Sequence, residues 1–143
     1  MAEALSGRLR AAVDTLPLRE GMRVLEIGCG PGAAAREVAR RVGDGHVHAI
    51  DRSAKAIAQA VARSPNEVAA GRLSFQQVAV EDFELAPGEA PFDLAFAIRV
   101  GALDGRHPEL GERAAQRIAR ALSPTGRLFV DLDGVLTEVR LQR

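Results

Sequence analysis

The chain has 143 residues, a length that suits one domain with a substantial core and is short for two. Nineteen basic residues balance nineteen acidic ones, so no net charge attracts the protein to nucleic acid or to a membrane surface. Tyrosine and tryptophan are absent, which leaves little aromatic surface for stacking on single-stranded bases. The single cysteine, Cys29, excludes an internal disulfide. No apolar run has the length of a membrane span or the form of a signal peptide, so we expect a cytoplasmic protein.

Helical and extended patterns alternate along the chain. Apolar residues at helical spacing predict helices at about residues 3–16, 33–42, 54–68 and 108–122. Short apolar runs predict strands at residues 23–28, 46–51, 73–80, 91–98 and 127–132. Ser53 is predicted to cap the third helix, and the sequence SPTG at 123–126 to separate the last helix from the last of these strands. This alternation predicts one α/β domain over residues 1–143, a doubly wound and mostly parallel sheet with its ligand site at the carboxyl ends of the strands.

The sequence VLEIGCGPG at residues 24–32 ends the first strand in a glycine-rich turn. Glycines at this place allow a ligand to approach the backbone, and the following helix begins with free N–H groups. Asp51 ends the next strand, at about the separation expected for an acid that binds ribose hydroxyls. These features fit both a nicotinamide cofactor and S-adenosylmethionine, because both contain an adenosine ribose.

Glu26 lies inside the apolar run that precedes the glycines, and its charge helps to distinguish between these two cofactors. A carboxylate would repel a pyrophosphate, whereas it would attract the ammonium and sulfonium groups of S-adenosylmethionine. The alternative is that Glu26 only caps nearby backbone groups, since a carboxylate in a buried strand needs some partner.

The chain resembles the class I S-adenosylmethionine-dependent methyltransferases over roughly residues 20–132. VLEIGCGPG is similar to the first motif of that family, and AIDRS at 49–53 to the second. Three further segments resemble later motifs in the same order, namely QVAVEDFEL at 77–85, PFDLAFAI at 91–98 and ARALSPTGRLFV at 119–130. The resemblance implies a methyltransferase with a Rossmann-like fold that uses S-adenosyl-L-methionine and releases S-adenosyl-L-homocysteine.

The resemblance also implies roles for individual residues at this site. Glu26, Gly28 and Gly30 would surround the methionine part of the cofactor, with Cys29 packed beside it as a small filler. Asp51 would bind both ribose hydroxyls. The residues implied near the adenine are Arg52, the Val80 N–H, and Glu81 or Asp82. Backbone at Ala97 and Ile98 would lie near the methionine amino group. The family often carries aspartate where this chain has Ala79, so the choice between Glu81 and Asp82 stays open.

Other polar residues have both a structural and a functional interpretation. His46 and His48 form an H-x-H pair at the start of a strand with no third ligand in view, which favours a structural role over a metal site. Arg99 and His107 are weak catalytic candidates in the segment that follows the fourth strand, together with Asp104. Arg99 would hold an acidic acceptor or pair with a nearby acid, and His107 would take a proton or cap the last helix. The strand is not followed by D/N-P-P-Y/F, which argues against methylation of amino groups in DNA bases or glutamine.

The sequence leaves three functions open. The first is methyl transfer to an unidentified small-molecule acceptor, without nucleic acid, membrane or metal, by a chain that forms a monomer or a homo-oligomer. The second is a non-catalytic cofactor-binding subunit that supports a partner, which the short chain suggests. The third is an NAD(P)-dependent oxidoreductase.

The end of the chain is predicted to form a hairpin. Asp133 and Gly134 suit a two-residue turn, and apolar residues alternate with charged ones after it. We therefore expect residues 135–141 to pair antiparallel with residues 127–132, giving six strands with one strand of the family missing. The alternative is a frayed tail.

Overall fold

The computed structural model describes residues 5–98, 103, 108–132 and 135–142, which build a six-stranded sheet flanked by helices. The strands are β1 (Arg23–Ile27), β2 (His46–Asp51), β3 (Leu73–Gln77), β4 (Phe92–Ala97), β5 (Leu122–Leu132) and β6 (Val135–Val139). The helices are α1 (Gly7–Asp14), α2 (Ala33–Arg41), α3 (Ala54–Ala62), α4 (Pro65–Ala69) and α5 (Pro108–Ala121), with a 3-10 turn at Val80–Asp82. Among these residues, no helix has the length and apolar character needed to cross a membrane.

The strands lie in the order β3-β2-β1-β4-β5-β6. The strands from β1 to β5 are parallel, and β6 runs antiparallel to β5. The chain moves outward from β1 to β3 and then returns to β4 on the other side of β1. This reversal brings the carboxyl ends of β1, β2 and β4 together, where ligands bind in such sheets. The predicted doubly wound, mostly parallel sheet is confirmed.

Successive strand residues point to opposite sides of the sheet, and apolar side chains on both sides pack against helices. On one face, Val24 packs with Val13 of α1 and Val38 of α2. On the other face, Leu25 packs with Ile118 of α5. Each of these side chains is fully buried, and burial of one such side chain contributes about 1.5–3 kcal/mol.

Two predicted helices have different bounds in the structure. The first helix was predicted at residues 3–16, but α1 begins after Ser6, whose side chain accepts the Leu9 N–H at 3.2 Å, and it ends at Asp14. The third predicted helix is two helices, because Pro65 begins α4 as a separate element. The predicted cap at Ser53 is confirmed, since its hydroxyl accepts the Ala56 N–H at 3.1 Å.

Two strand boundaries are also corrected. The third strand was predicted to reach residue 80, but β3 ends at Gln77 and the chain turns into the 3-10 segment. The SPTG sequence does not interrupt the last parallel strand. β5 begins at Leu122 and includes SPTG. The register of β5 against β4 shifts at this segment, because Phe92 pairs with Leu122 and Leu94 pairs with Arg127.

The predicted terminal hairpin is confirmed in its pairing. Leu128 lies opposite Val139, and Leu132 lies opposite Val135. The strand ends at Val139, two residues before the predicted end. The predicted turn at 133–134 lies outside the described residues. β6 belongs to the core on one side only, since Leu136 is 8% exposed and Val135 is 61% exposed.

Leu136→Ala should reduce the free energy of unfolding by about 2–4 kcal/mol, because it removes buried apolar atoms and leaves a cavity. Val135→Ala on the same strand should change it by less than about 0.5 kcal/mol, because that side chain faces water. Denaturant unfolding measures both. Equal effects of the two substitutions would show that β6 does not pack on the sheet in solution.

Candidate functional site

A loop of residues 28–32, here called the glycine loop, connects β1 to α2. The Gly28 and Cys29 N–H groups donate to the Ile50 carbonyl at 2.8 and 3.0 Å, which fixes the loop to the end of β2. Gly28, Gly30 and Gly32 have φ angles of 71°, 54° and 89°. Such positive angles are unfavourable for residues with a Cβ, so the turn requires glycine at these places.

Gly30 and Gly32 face different surroundings. A Cβ placed on Gly30 would meet no described atom within 4 Å, so this side of the loop opens onto free space. A Cβ on Gly32 would lie 3.0 Å from Nη1 of Arg36 and 3.3 Å from the ring of Phe75. The missing side chain of Gly30 therefore leaves room for a ligand, whereas the missing side chain of Gly32 leaves room for Arg36 and Phe75.

Asp51 joins three elements at the end of β2. Its Oδ2 accepts the Gly30 N–H at 2.9 Å, and its Oδ1 accepts the Ser53 N–H at 2.9 Å. The side chain thus holds the glycine loop and the start of α3 in place. Each carboxylate oxygen can accept a second hydrogen bond, so Asp51 keeps the capacity to bind hydroxyl groups of a ligand.

Glu26 is the most unusual residue of the site, because it is 2% exposed and its Oε1 has no hydrogen-bond partner within the described part of the chain. Burial and the nearby Asp51 carboxylate raise the pKa of Glu26 to about 8, although the Arg36 charge and the Ala35 backbone N–H oppose the rise. Local capping would explain an acid near Ala35, but it does not explain the oxygen without a partner. The raised pKa favours the protonated form of Glu26 in the ligand-free protein.

Cys29 lies inside the glycine loop and is 6% exposed. Burial, together with the carboxylates of Glu26 and Asp51, raises the pKa of its thiol far above the usual range. A thiol that stays protonated is a poor nucleophile. These surroundings favour the predicted filler role.

The residues predicted near an adenine lie after the ends of β2 and β3. Val80 is buried at the start of the 3-10 turn, and Arg52 is exposed at the end of β2. Asp82 forms an ion pair with Arg113 of α5 at 2.8 Å. Glu81 is half-buried, and no hydrogen bond or ion pair engages it among the described residues. Of the two acids, Glu81 is therefore the one whose carboxylate has no partner in the part of the chain that the structure describes.

The end of β4 forms the other wall of the site. Ala97 is fully buried opposite Ile27, and Ile98 follows it half-buried against the core. Three predicted residues, Arg99, Asp104 and His107, lie outside the described residues. Their roles remain predictions.

His46 and His48 form a chain of hydrogen bonds with β3. Both rings contact the Ser74 hydroxyl, at 2.8 and 2.7 Å. The remaining nitrogens contact the Gly71 carbonyl at 2.7 Å and Gln76 Oε1 at 2.9 Å. Both nitrogens of each ring are thus engaged, and burial lowers the pKa of His48. Within the described ranges, no group of three His, Cys, Asp or Glu residues could hold a metal ion.

Two spaces in the described part of the fold lie away from this site. A cavity of about 350 Å³ lies against Leu18, Met22 and Asp93, near the amino ends of the strands. A groove of about 1140 Å³ runs along the outer side of α2 and α4. Neither is lined by Glu26 or Asp51. The position of the site therefore rests on its polar groups and on the opening beside Gly30.

Arg36 and Ser64 belong to the surroundings of the site, and the sequence did not predict either. Arg36 Nη1 donates to the Pro31 carbonyl at 2.9 Å and to the Ser64 hydroxyl at 3.0 Å. An arginine in the first turn of an amphipathic helix looks like a solvated residue in the sequence. Nothing in the pattern shows that it reaches back to the loop.

Comparison with known proteins gives concordant matches. A family described as a methyltransferase domain matches residues 24–126. A trans-aconitate 2-methyltransferase of Methylobacterium nodulans is 32% identical over 134 residues, which cover 92% of this chain and 47% of that protein. An S-adenosylmethionine-dependent methyltransferase from Mesorhizobium loti is 28% identical with a TM-score of 0.65, over 85% of this chain and 50% of that one. The cyclase SpnF is 28% identical with a TM-score of 0.68, over 85% and 42%. The chain spans half or less of the length of each of these three proteins.

Glu26→Gln should stabilise the ligand-free protein at pH 8. A carboxyl whose pKa is higher in the folded protein than in the unfolded chain costs stability as pH rises from about 4.5 to about 8. The neutral amide avoids this cost, so the melting temperature should rise by about 3 °C or more at pH 8, and the gain should shrink at pH 5.

Thermal melts at both pH values measure this difference. Glu81→Gln is the matched control, because it removes a carboxylate from a half-buried position beyond the glycine loop. A lower melting temperature for Glu26→Gln at pH 8 would show that Glu26 is satisfied in the folded protein and stabilises it.

Proposed function

The chain belongs to the methyltransferase domain family, and from this membership we propose that it binds S-adenosylmethionine at the glycine loop and transfers the methyl group to a small-molecule acceptor. The observation that carries the proposal is the buried Glu26 carboxyl with its Oε1 unpartnered. Such an oxygen is costly in a folded protein unless a ligand supplies the missing donor. S-adenosylmethionine brings an ammonium group and a sulfonium.

The methionine part of the cofactor lies along the glycine loop in this proposal. Gly28 and Gly30 let it approach the backbone, and the free space beside Gly30 supports that side of the loop. Glu26 attracts the positive end from below the loop, with Ala97 and Ile98 on the side of β4. Binding of the cation favours ionised Glu26, so the protein releases a proton when the cofactor binds below about pH 8.

The adenosine part lies toward β2 and β3. Asp51 accepts both ribose hydroxyls on the lone pairs that its two backbone contacts leave free. Arg52 flanks the adenine, and the Val80 N–H faces its ring edge. Glu81 is the better acceptor for the adenine amino group, because Asp82 is engaged with Arg113.

Glu26 argues against a dinucleotide, whereas Asp51 fits the ribose of either cofactor. Burial and the nearby Asp51 already raise the pKa of Glu26. A pyrophosphate on the glycine loop would add a negative charge beside Glu26 and would make its ionisation more costly. An NAD(P)-dependent oxidoreductase is therefore the weakest of the three functions.

Methyl transfer needs little from the side chains. The acceptor atom attacks the methyl carbon, the carbon–sulfur bond breaks, and the electron pair leaves on sulfur as S-adenosylhomocysteine forms. In-line positioning of the acceptor supplies much of the acceleration. The name of the relative from Methylobacterium nodulans supports a small acidic acceptor.

A cofactor-binding subunit is the second candidate. The similar fold of a protein named as a cyclase supports uses of this fold beyond methyl transfer. Turnover by the purified chain alone separates the two candidates.

The direct test supplies S-adenosylmethionine labelled on the methyl group and a set of acceptors that begins with trans-aconitate. Label in the product is the expected result. Binding of the cofactor without label in any product would favour the subunit. Absence of binding would contradict both candidates.

Asp51→Ala should remove most of the stabilisation that S-adenosylhomocysteine gives to the protein. At a ligand concentration of 100 times Kd, linkage stabilises the native protein by about 2.7 kcal/mol. The variant loses the charged acceptor for two hydroxyl groups and also frees the Gly30 N–H. Thermal melts with and without the ligand measure the change.

Asp51→Asn is the finer variant, because it keeps one carbonyl oxygen and should keep part of the shift. Asp82→Asn removes an exposed acid and should keep all of it. A full shift in Asp51→Ala would mean that the ribose binds elsewhere.

A further inference from the structure

Arg36 connects the glycine loop to a second part of the fold. Its Nη1 donates to the Pro31 carbonyl, between Gly30 and Gly32, at 2.9 Å, and to the Ser64 hydroxyl at 3.0 Å. Pro31 lies at the tip of the loop, and Ser64 lies where α3 ends and α4 begins. One nitrogen atom of Arg36 therefore ties the tip of the loop to a helix junction that lies 28 positions after Arg36 in sequence.

The surroundings of the guanidinium are specific. Ser64 is fully buried and occupies the N-cap position of α4, yet its hydroxyl makes no cap bond. It accepts from Arg36 instead. A side chain at position 32 would place its Cβ only 3.0 Å from Nη1, so the missing side chain of Gly32 admits the arginine. Gly32 thus leaves space for the Arg36 side chain, and Ser64 provides a hydrogen-bond acceptor for it.

Arg36 also acts on Glu26 electrostatically. Four groups near Glu26 interact with its carboxyl: the Asp51 carboxylate on β2, the Cys29 thiol in the loop, and the Ala35 N–H and Arg36 on α2. Arg36 is the side chain with a positive charge in this set. It opposes the effects of burial and of Asp51 on the carboxyl.

We propose that Arg36 is a positioning residue for the cofactor, which fixes the tip of the glycine loop without touching the ligand. It packs on the side of Gly32, whereas the free space for a ligand lies beside Gly30. The inference rests on the proposed function. Its consequence is that Arg36 strengthens cofactor binding and lowers the pH at which Glu26 gives up its proton.

The test measures Kd for S-adenosylhomocysteine by calorimetry from pH 6.5 to 9 in the full chain. Arg36→Met should weaken binding roughly tenfold at pH 7.5, because the loop loses a charged donor. It should also move the rise in affinity to higher pH, because Glu26 loses a favourable charge. Arg36→Lys keeps the charge, so it should lose part of the affinity while the pH of the rise stays near that of the wild type.

Arg40→Met is the matched control on the same helix. The Arg40 side chain is 68% exposed and bonds to Glu37, away from the loop, so both readouts should stay unchanged. Ser64→Ala removes one acceptor of Arg36 and should weaken binding about threefold without a shift in pH. If Arg36→Met fails to fold, Arg36→Lys and Ser64→Ala still carry the test.

Unchanged affinity in Arg36→Met, or in Arg36→Lys and Ser64→Ala together, would overturn the proposal. Equal weakening at every pH in Arg36→Met would also overturn it, because a merely structural role predicts that result. If the wild type does not bind S-adenosylhomocysteine, the proposed function itself fails. These outcomes are therefore distinguishable.

Discussion

Two carboxyl groups at the ends of neighbouring parallel strands constrain the whole site. The topology places Glu26 of β1 and Asp51 of β2 at the same edge of the sheet, and it buries Glu26 under α2. The two groups cannot both ionise there without a cost in folding free energy. In the proposed site, a bound cation would favour the ionised form of Glu26 and so offset this cost. Residues that cost stability at a ligand site are common where function requires them.

The rest of the local structure holds these two acids in place. The glycine loop bends sharply enough to bring the Gly30 N–H to Asp51, and the same bend leaves free space beside Gly30. Arg36 supports the loop from the opposite side and offsets part of the negative charge. The loop is thus held by the Ile50 carbonyl, by Asp51 and by Arg36. These attachments give the backbone a fixed shape, which would reduce the ordering cost of binding a ligand.

The sequence predicted what depends on local pattern. Apolar periodicity predicted the sheet and its terminal hairpin. The position of Glu26 inside an apolar run predicted that this acid would be buried. The sequence could not predict contacts between distant elements. The bond from Arg36 to Ser64 and the ion pair from Asp82 to Arg113 depend on how helices pack. The apolar residues after Gln77 continue the pattern of a strand, so the 3-10 turn that follows was also missed.

The proposed function requires Glu26 to be protonated in the free protein and ionised when the cofactor is bound. Calorimetry of S-adenosylhomocysteine binding at pH 7, in buffers with different ionisation enthalpies, counts the protons that binding releases. With the pKa of Glu26 raised to about 8, we expect a release close to one proton for the wild type and none for Glu26→Gln. Tight binding to the wild type without proton release would contradict this requirement.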